Sequence, residues 1–101
     1  MKEITAEVKQ EIREIVYNFF SEECEVDLEK LTDDSSIIDD LDGDSLLFVE
    51  LIELLKKKYE LDIKLQNVGK YLLKNQSKTI KEVIETSYLI YQYEDEIVTL
   101  G

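Results

Sequence analysis

Apolar residues near the start of the chain recur at spacings of three and four: Ile4, Val8, Ile12, Ile15, Val16, Phe19 and Phe20. That period gathers them on one side of a helix and predicts an amphipathic α-helix over residues 4–21, with its charges turned outward. From 22 to 43 the period is lost and Asp and Ser cluster. This stretch reads as a long loop, pinned where Leu28, Leu31, Ile37 and Ile38 dip into the core; loops this long inside a small domain usually carry function. Leu46, Val49, Ile52, Leu55 and Tyr59 then mark a second helix over 45–59. Leu47, Leu51 and Leu54 widen its apolar side, so it touches the core broadly or offers surface to partners.

Leu61 and Ile63 lead into a third helical stretch carried by Leu65, Val68, Leu72 and Leu73, with Gly69 weakening its middle. The polar run Asn75-Gln76-Ser77-Lys78 is a turn. Thr79 then reads as an N-cap, with Glu82 completing a capping box, ahead of a fourth helix over 80–92. Its apolar side is Ile80, Val83, Ile84, Ser87, Tyr88 and Tyr91. The last segment, YEDEIVTLG, drops the period and is expected to fray. The predicted fold is all-α: a four-helix bundle with a long loop between helices 1 and 2, residues 1–92 forming the domain and 93–101 a tail.

Composition sharpens this picture. The 101 residues suit one domain, and a chain with no proline and glycine only at 43, 69 and 101 leans towards helix. The net charge of −12 argues against nucleic acid as a partner. Residues 22–53 hold thirteen acids against one base, Lys30, so the whole excess charge lies around Ser45 and the remainder of the chain is neutral. Such a concentration is either a solvated loop or a steering surface for basic partners. Cys24 is the only cysteine, which excludes an intrachain disulfide, and its acidic neighbours disfavour a thiolate. The charged N-terminus is no signal peptide and no apolar run reaches membrane-spanning length, so a soluble, cytoplasmic protein is expected.

Ser45, between this acidic loop and an apolar helix, is the residue to explain. Gly43-Asp44-Ser45-Leu46 spells a hydrolase signature, but a serine nucleophile needs a base, and the chain has no histidine. An EF-hand with Gly43 at its sixth position would put Ile38 first and Val49 twelfth, neither able to supply a side-chain oxygen, so no metal site is expected. Ser45 or Asp44 can cap the second helix, which leaves the charge unexplained. A phosphate on Ser45 would sit at a helix N-terminus, where unpaired N–H groups and the dipole favour negative charge.

The run Asp40-Leu41-Asp42-Gly43-Asp44-Ser45-Leu46, with Val49-Glu50-Leu51 after it, resembles the phosphopantetheine attachment site of acyl carrier proteins. Leu31-Thr32-Asp33-Asp34-Ser35-Ser36 resembles that family's first loop, and Thr79-Ile80-Lys81-Glu82-Val83 its last helix. The likeness covers about residues 4–87 and implies a carrier, not an enzyme. A holo-synthase or other phosphopantetheinyl transferase would move 4′-phosphopantetheine from coenzyme A to Ser45, with Asp44 and Leu46 beside it. The arm's thiol would hold acyl groups as thioesters for enzymes of fatty-acid, lipid or specialised-metabolite synthesis. Asp40, Asp42, Glu50 and Glu53 would meet basic patches on those enzymes, with Leu47 and Val49 contributing apolar contact, and the carrier would work as a monomer. A peptidyl or aminoacyl carrier, or an unmodified helical interaction module, is the alternative. The chain departs from the family pattern at Lys56-Lys57-Lys58, where acidic residues are usual, at Leu47 and Phe48, in the longer 64–78 segment, and beyond residue 88. These departures favour a specialised carrier with dedicated partners.

Overall fold

The computed structural model describes residues 3–37, 45–74 and 78–99, excepting the side chains of Ser45, Leu46, Leu72, Leu73, Lys74, Asp95, Val98 and Thr99. Among these residues are four α-helices: α1 (Ala6–Glu23), α2 (Ser45–Tyr59), α3 (Leu65–Lys74) and α4 (Ile80–Tyr93). Two 3-10 helices join them, η1 (Leu28–Lys30) in the first loop and η2 (Glu94–Thr99) at the end. The all-α fold predicted from periodicity is the fold observed. Thr5, which periodicity had assigned inside the first helix, is instead its N-cap: its hydroxyl accepts from the Val8 N–H at 3.2 Å.

One core serves all four helices. Ile12, Val16 and Phe20 enter it from α1, Leu51, Ile52 and Leu55 from α2, Val68 and Tyr71 from α3, and Ile80, Val83, Ile84 and Ile90 from α4. Phe20 sits at the centre of an aromatic cluster, edge-on to Phe19 at 5.3 Å and to Phe48 at 6.4 Å. Leu31 and Ile37 fasten the long loop to this core, as expected, while Ile38 lies outside the described residues. Leu28 does not join them. It is 48% exposed on η1, at the edge of an open groove along α1, because a three-residue helix can turn only part of itself inward.

The inward side of α2 is the expected one at Ile52, Leu55 and Tyr59 and differs at Val49. Leu51, Ile52 and Leu55 are buried, with Phe48 and Tyr59 packed against them, whereas Val49 and Leu54 are 39% and 45% exposed. Both phases satisfy a period of three to four, and the helix buries the side that carries Phe48 and Tyr59, the larger apolar area.

Helix α4 begins as its sequence predicts. The Thr79 hydroxyl accepts from the Glu82 N–H at 3.3 Å, and the Glu82 carboxylate meets that same hydroxyl at 3.2 Å rather than returning to the cap backbone. The tail is the largest departure. Glu94–Thr99, expected to fray, forms η2 against α3 and α4, and Ile97 is fully buried. Glu94 turns the chain back at φ 50°, and its carboxylate accepts from the Asp62 N–H in the α2–α3 connection.

Helices α1 and α2 both end on a glutamate with positive φ, Glu25 at 53° and Glu60 at 51°. In each case the following N–H returns to the last turn, Val26 to the Ser21 carbonyl and Leu61 to the Lys56 carbonyl, both at 3.1 Å. Glycine takes this conformation without Cβ strain. Glu60→Gly is therefore expected to stabilise the protein by about 0.5 kcal/mol, the strain relieved less the entropy glycine loses. A rise in melting temperature of about 2–4 °C would be the readout.

Candidate functional site

Ser45 is the first residue of α2, and two sets of contacts decide where that helix begins in space. From below, Leu51, Ile52 and Leu55 anchor α2 in the core. At its far end, Tyr59 stacks edge-on against Tyr91 at 5.2 Å, and its hydroxyl donates to Glu11 Oε1 at 2.8 Å. Burial, then that bond to Glu11, holds the Tyr59 phenol above its usual pKa, so it stays a donor.

The second set fastens residues 33–37 of the first loop. Residues 33–37 lie along the start of α4: the Lys81 N–H donates to the Asp33 carbonyl at 2.9 Å, Ile80 to Ser35 at 3.1 Å, and Ile37 to Lys78 at 3.0 Å. Ser36 and Thr79 form an isolated antiparallel bridge within this pairing. On the opposite side the Asp33 carboxylate accepts from the Tyr17 hydroxyl and from Arg13 Nη2 at 2.9 Å, both on α1. Asp33 therefore clamps the loop between the first and last helices. Sequence reasoning grouped it with the acidic surface, and only the i, i+4 pair Arg13 and Tyr17 could have hinted otherwise.

The clamp has a pH signature at both ends. Hydrogen bonding from Tyr17, then from Arg13, holds the Asp33 carboxyl below its ordinary pKa against some opposing desolvation. A lowered folded value means the contribution is complete above the unfolded carboxylate pKa, about 3.9, and is lost as pH falls through the folded one. Tyr17, raised to about 12 by burial and then by Asp33, loses its contribution as pH rises through that value. Because the Asp33 side chain is 38% exposed, solvent screens the pair, and Asp33→Asn is expected to cost only about 1 kcal/mol at neutral pH. The same substitution should flatten the decline in stability below pH 4, measured by denaturant unfolding across a pH series.

Between α2 and α4 lies a small apolar cavity of about 10 Å3. Phe48, Leu51 and Ile52 line it from α2, and Val83, Thr86, Ser87 and Ile90 from α4. The buried Ser87 hydroxyl donates to the Val83 carbonyl at 2.8 Å, so its polarity is satisfied within α4. None of this lining was singled out from sequence as a site, since periodicity marks an inward side without saying where two inward sides leave a gap.

The residues singled out from sequence divide into two groups. Glu50, Glu53 and Val49 are exposed on α2, and Leu47 is half-buried against the core. Asp40, Asp42 and Asp44 lie outside the described residues, as do the side chains of Ser45 and Leu46. No helix among the described residues is long and apolar enough to cross a membrane.

Comparison with known proteins agrees with this geometry. Residues 14–86, from the middle of α1 to the middle of α4, match the family model described as a phosphopantetheine attachment site. The whole chain is 58% identical over 101 residues to an acyl carrier protein homolog of Clostridium acetobutylicum, covering 98% of that protein. It is 39% identical over 75 residues to an acyl carrier protein of Brachyspira hyodysenteriae, spanning 74% of this chain and 90% of the relative. An acyl carrier protein of Buchnera aphidicola is 32% identical over 81 residues, with 74% and 96% covered. The chain belongs to the acyl carrier protein family, whose prosthetic group is 4′-phosphopantetheine.

Proposed function

We propose that this chain carries acyl groups on a 4′-phosphopantetheine arm attached to Ser45 and delivers them to enzymes of fatty-acid, lipid or specialised-metabolite synthesis. The observation that carries the reading is positional: within the matched span, a serine opens a 15-residue helix directly after the acidic stretch of the sequence. A phosphodiester there suits its surroundings. The first turn of α2 carries no acidic side chain, and the helix dipole favours the added negative charge.

In the transferase the Ser45 hydroxyl attacks the pyrophosphate of coenzyme A, with magnesium shielding the charge, and the nucleotide half leaves. When bound, the arm supplies a terminal thiol that holds the acyl group as a thioester. The chain itself contributes no catalytic group. Its residues present and shelter: Leu51, Ile52 and Leu55 anchor the helix that Ser45 opens, and the apolar lining that includes Phe48 and Ile90, around a gap of only about 10 Å3, marks where α2 and α4 would have to part to admit a carried chain. Asp40, Asp42, Asp44, Glu50 and Glu53 steer basic partner surfaces towards the serine, raising encounter rates more than final affinity. The protein works as a cytoplasmic monomer.

Incubation with coenzyme A, magnesium and a broad-specificity phosphopantetheinyl transferase tests this reading. An intact mass larger by one phosphopantetheine is expected. An unchanged mass with several such transferases, on protein that melts cooperatively, would leave only a helical interaction module.

A further inference from the structure

We infer that the outer side of α2 is a bipolar docking surface, fitted to a protein partner that sets a basic patch near the entry for the arm and an acidic patch beyond it. The inference rests on the carrier reading above. At 3.6 residues per turn, Val49, Glu50, Glu53, Leu54 and Lys57 share the side of α2 opposite Leu51, Ile52 and Leu55. All five are exposed, the two aliphatics at 39% and 45%. Lys56 borders the same surface one turn beyond Glu53. The ridge thus runs from two carboxylates to two ammonium groups, with Leu54 uncovered between them and Val49 uncovered beside Glu50 at the acidic end. Glu50 and Lys57 are separated by about 10 Å along the axis at 1.5 Å per residue.

The three lysines are not equivalent. Lys58 Nζ lies 3.9 Å from Glu11 Oε1, tying α2 to α1. Lys56 and Lys57 form no ion pair among the described residues, although Glu53 precedes Lys57 by one turn. The helix dipole favours a base in the last turn, and Lys58 meets that preference. It gives no reason for Leu54 to remain uncovered between acids and bases, or Val49 beside the acids. Charge complementarity names the partner. Thirteen acids against one base in residues 22–53 attract any basic surface, but a uniformly basic one that reached along α2 would meet Lys56 and Lys57 as like charges. A surface that turns acidic at that point gains from both ends, and an apolar centre between its patches would cover Leu54. The basic end therefore acts as a filter, rejecting partners built for carriers that are acidic throughout.

The test starts from protein confirmed by mass to carry its arm, so that the two readings fail separately. Native chain, K56E/K57E and K56Q/K57Q are compared as substrates of the purified acyl-carrier-dependent enzymes from the same organism, with circular dichroism confirming that each is folded. For at least one enzyme, K56E/K57E should lower kcat/KM about tenfold or more, the scale of two reversed charge pairs, with the glutamine pair intermediate. The loss should shrink as salt is raised, and replacing the facing acid of that enzyme by lysine should restore the rate with K56E/K57E. If every enzyme treats the three proteins alike, or prefers K56E/K57E, the bipolar surface is overturned while the carrier reading stands. A chain that never takes up the arm overturns both.

Discussion

Ser45→Ala is expected to remain at its unmodified mass under conditions that load the native chain completely. The effect should be absolute, because the arm is the sole covalent link between cargo and carrier. No other described serine offers a substitute. The Ser21 hydroxyl donates to the Val26 carbonyl at 2.6 Å, Ser35 accepts from the Thr32 N–H at 3.0 Å within the clamped loop, and Ser36 lies in the bridge to Thr79. Ser87 is 2% exposed and bonded inside α4. None of these opens a helix after an acidic loop. The variant should also fold: alanine is the best helix former, and if the serine takes part in capping α2 the loss is about 1 kcal/mol. Unchanged circular dichroism with no mass gain would separate a missing attachment site from a missing fold. A mass gain on Ser45→Ala would move the arm to another residue and with it the functional site.

Ile97→Ala should be among the most damaging changes outside the four α-helices. The side chain is fully buried where η2 meets α3 and α4, and truncating a buried isoleucine to alanine costs about 2–5 kcal/mol through lost transfer energy and the cavity left behind. Against a total of about 5–15 kcal/mol for a domain, this is a large fraction. For a chain of this size the melting temperature should fall on the order of 10–20 °C. Denaturant unfolding would check the free energy directly, and a loss below about 0.5 kcal/mol, the ordinary effect of a surface substitution, would mean that the tail is not part of the cooperative unit.

How far the sequence led depended on how many residues shared each signal. The helices repeat their apolar residues over three or more turns, so α2 was legible at both ends, α4 to within one residue and α1 to within two, and the Thr79 cap was visible in the threonine–glutamate spacing. Ile97 was not legible. A single buried isoleucine in a 3-10 turn has no period, and what brings it home is the positive φ of Glu94, a conformation that glutamate does not advertise. Val49 was expected on the core side as well as at the partner surface, and the core placement failed for a related reason: two apolar phases overlap on α2, and packing against Phe20 and Tyr91 decides between them. At the site, Ser45 stood out because its motif is local. The role of Asp33 was hidden because its partners, Arg13 and Tyr17, lie sixteen or more residues away in the chain.

The pairing of residues 33–37 with the start of α4 has a consequence for synthesis. Its hydrogen bonds join positions more than forty residues apart, so the loop before Ser45 cannot settle until Lys78, Ile80 and Lys81 have left the ribosome. A nascent chain that has exposed Ser45 but not α4 holds the serine on an unfastened segment. Transferases that read the folded helix end would pass over such a chain, and uptake of the arm would then certify that translation had run past residue 81.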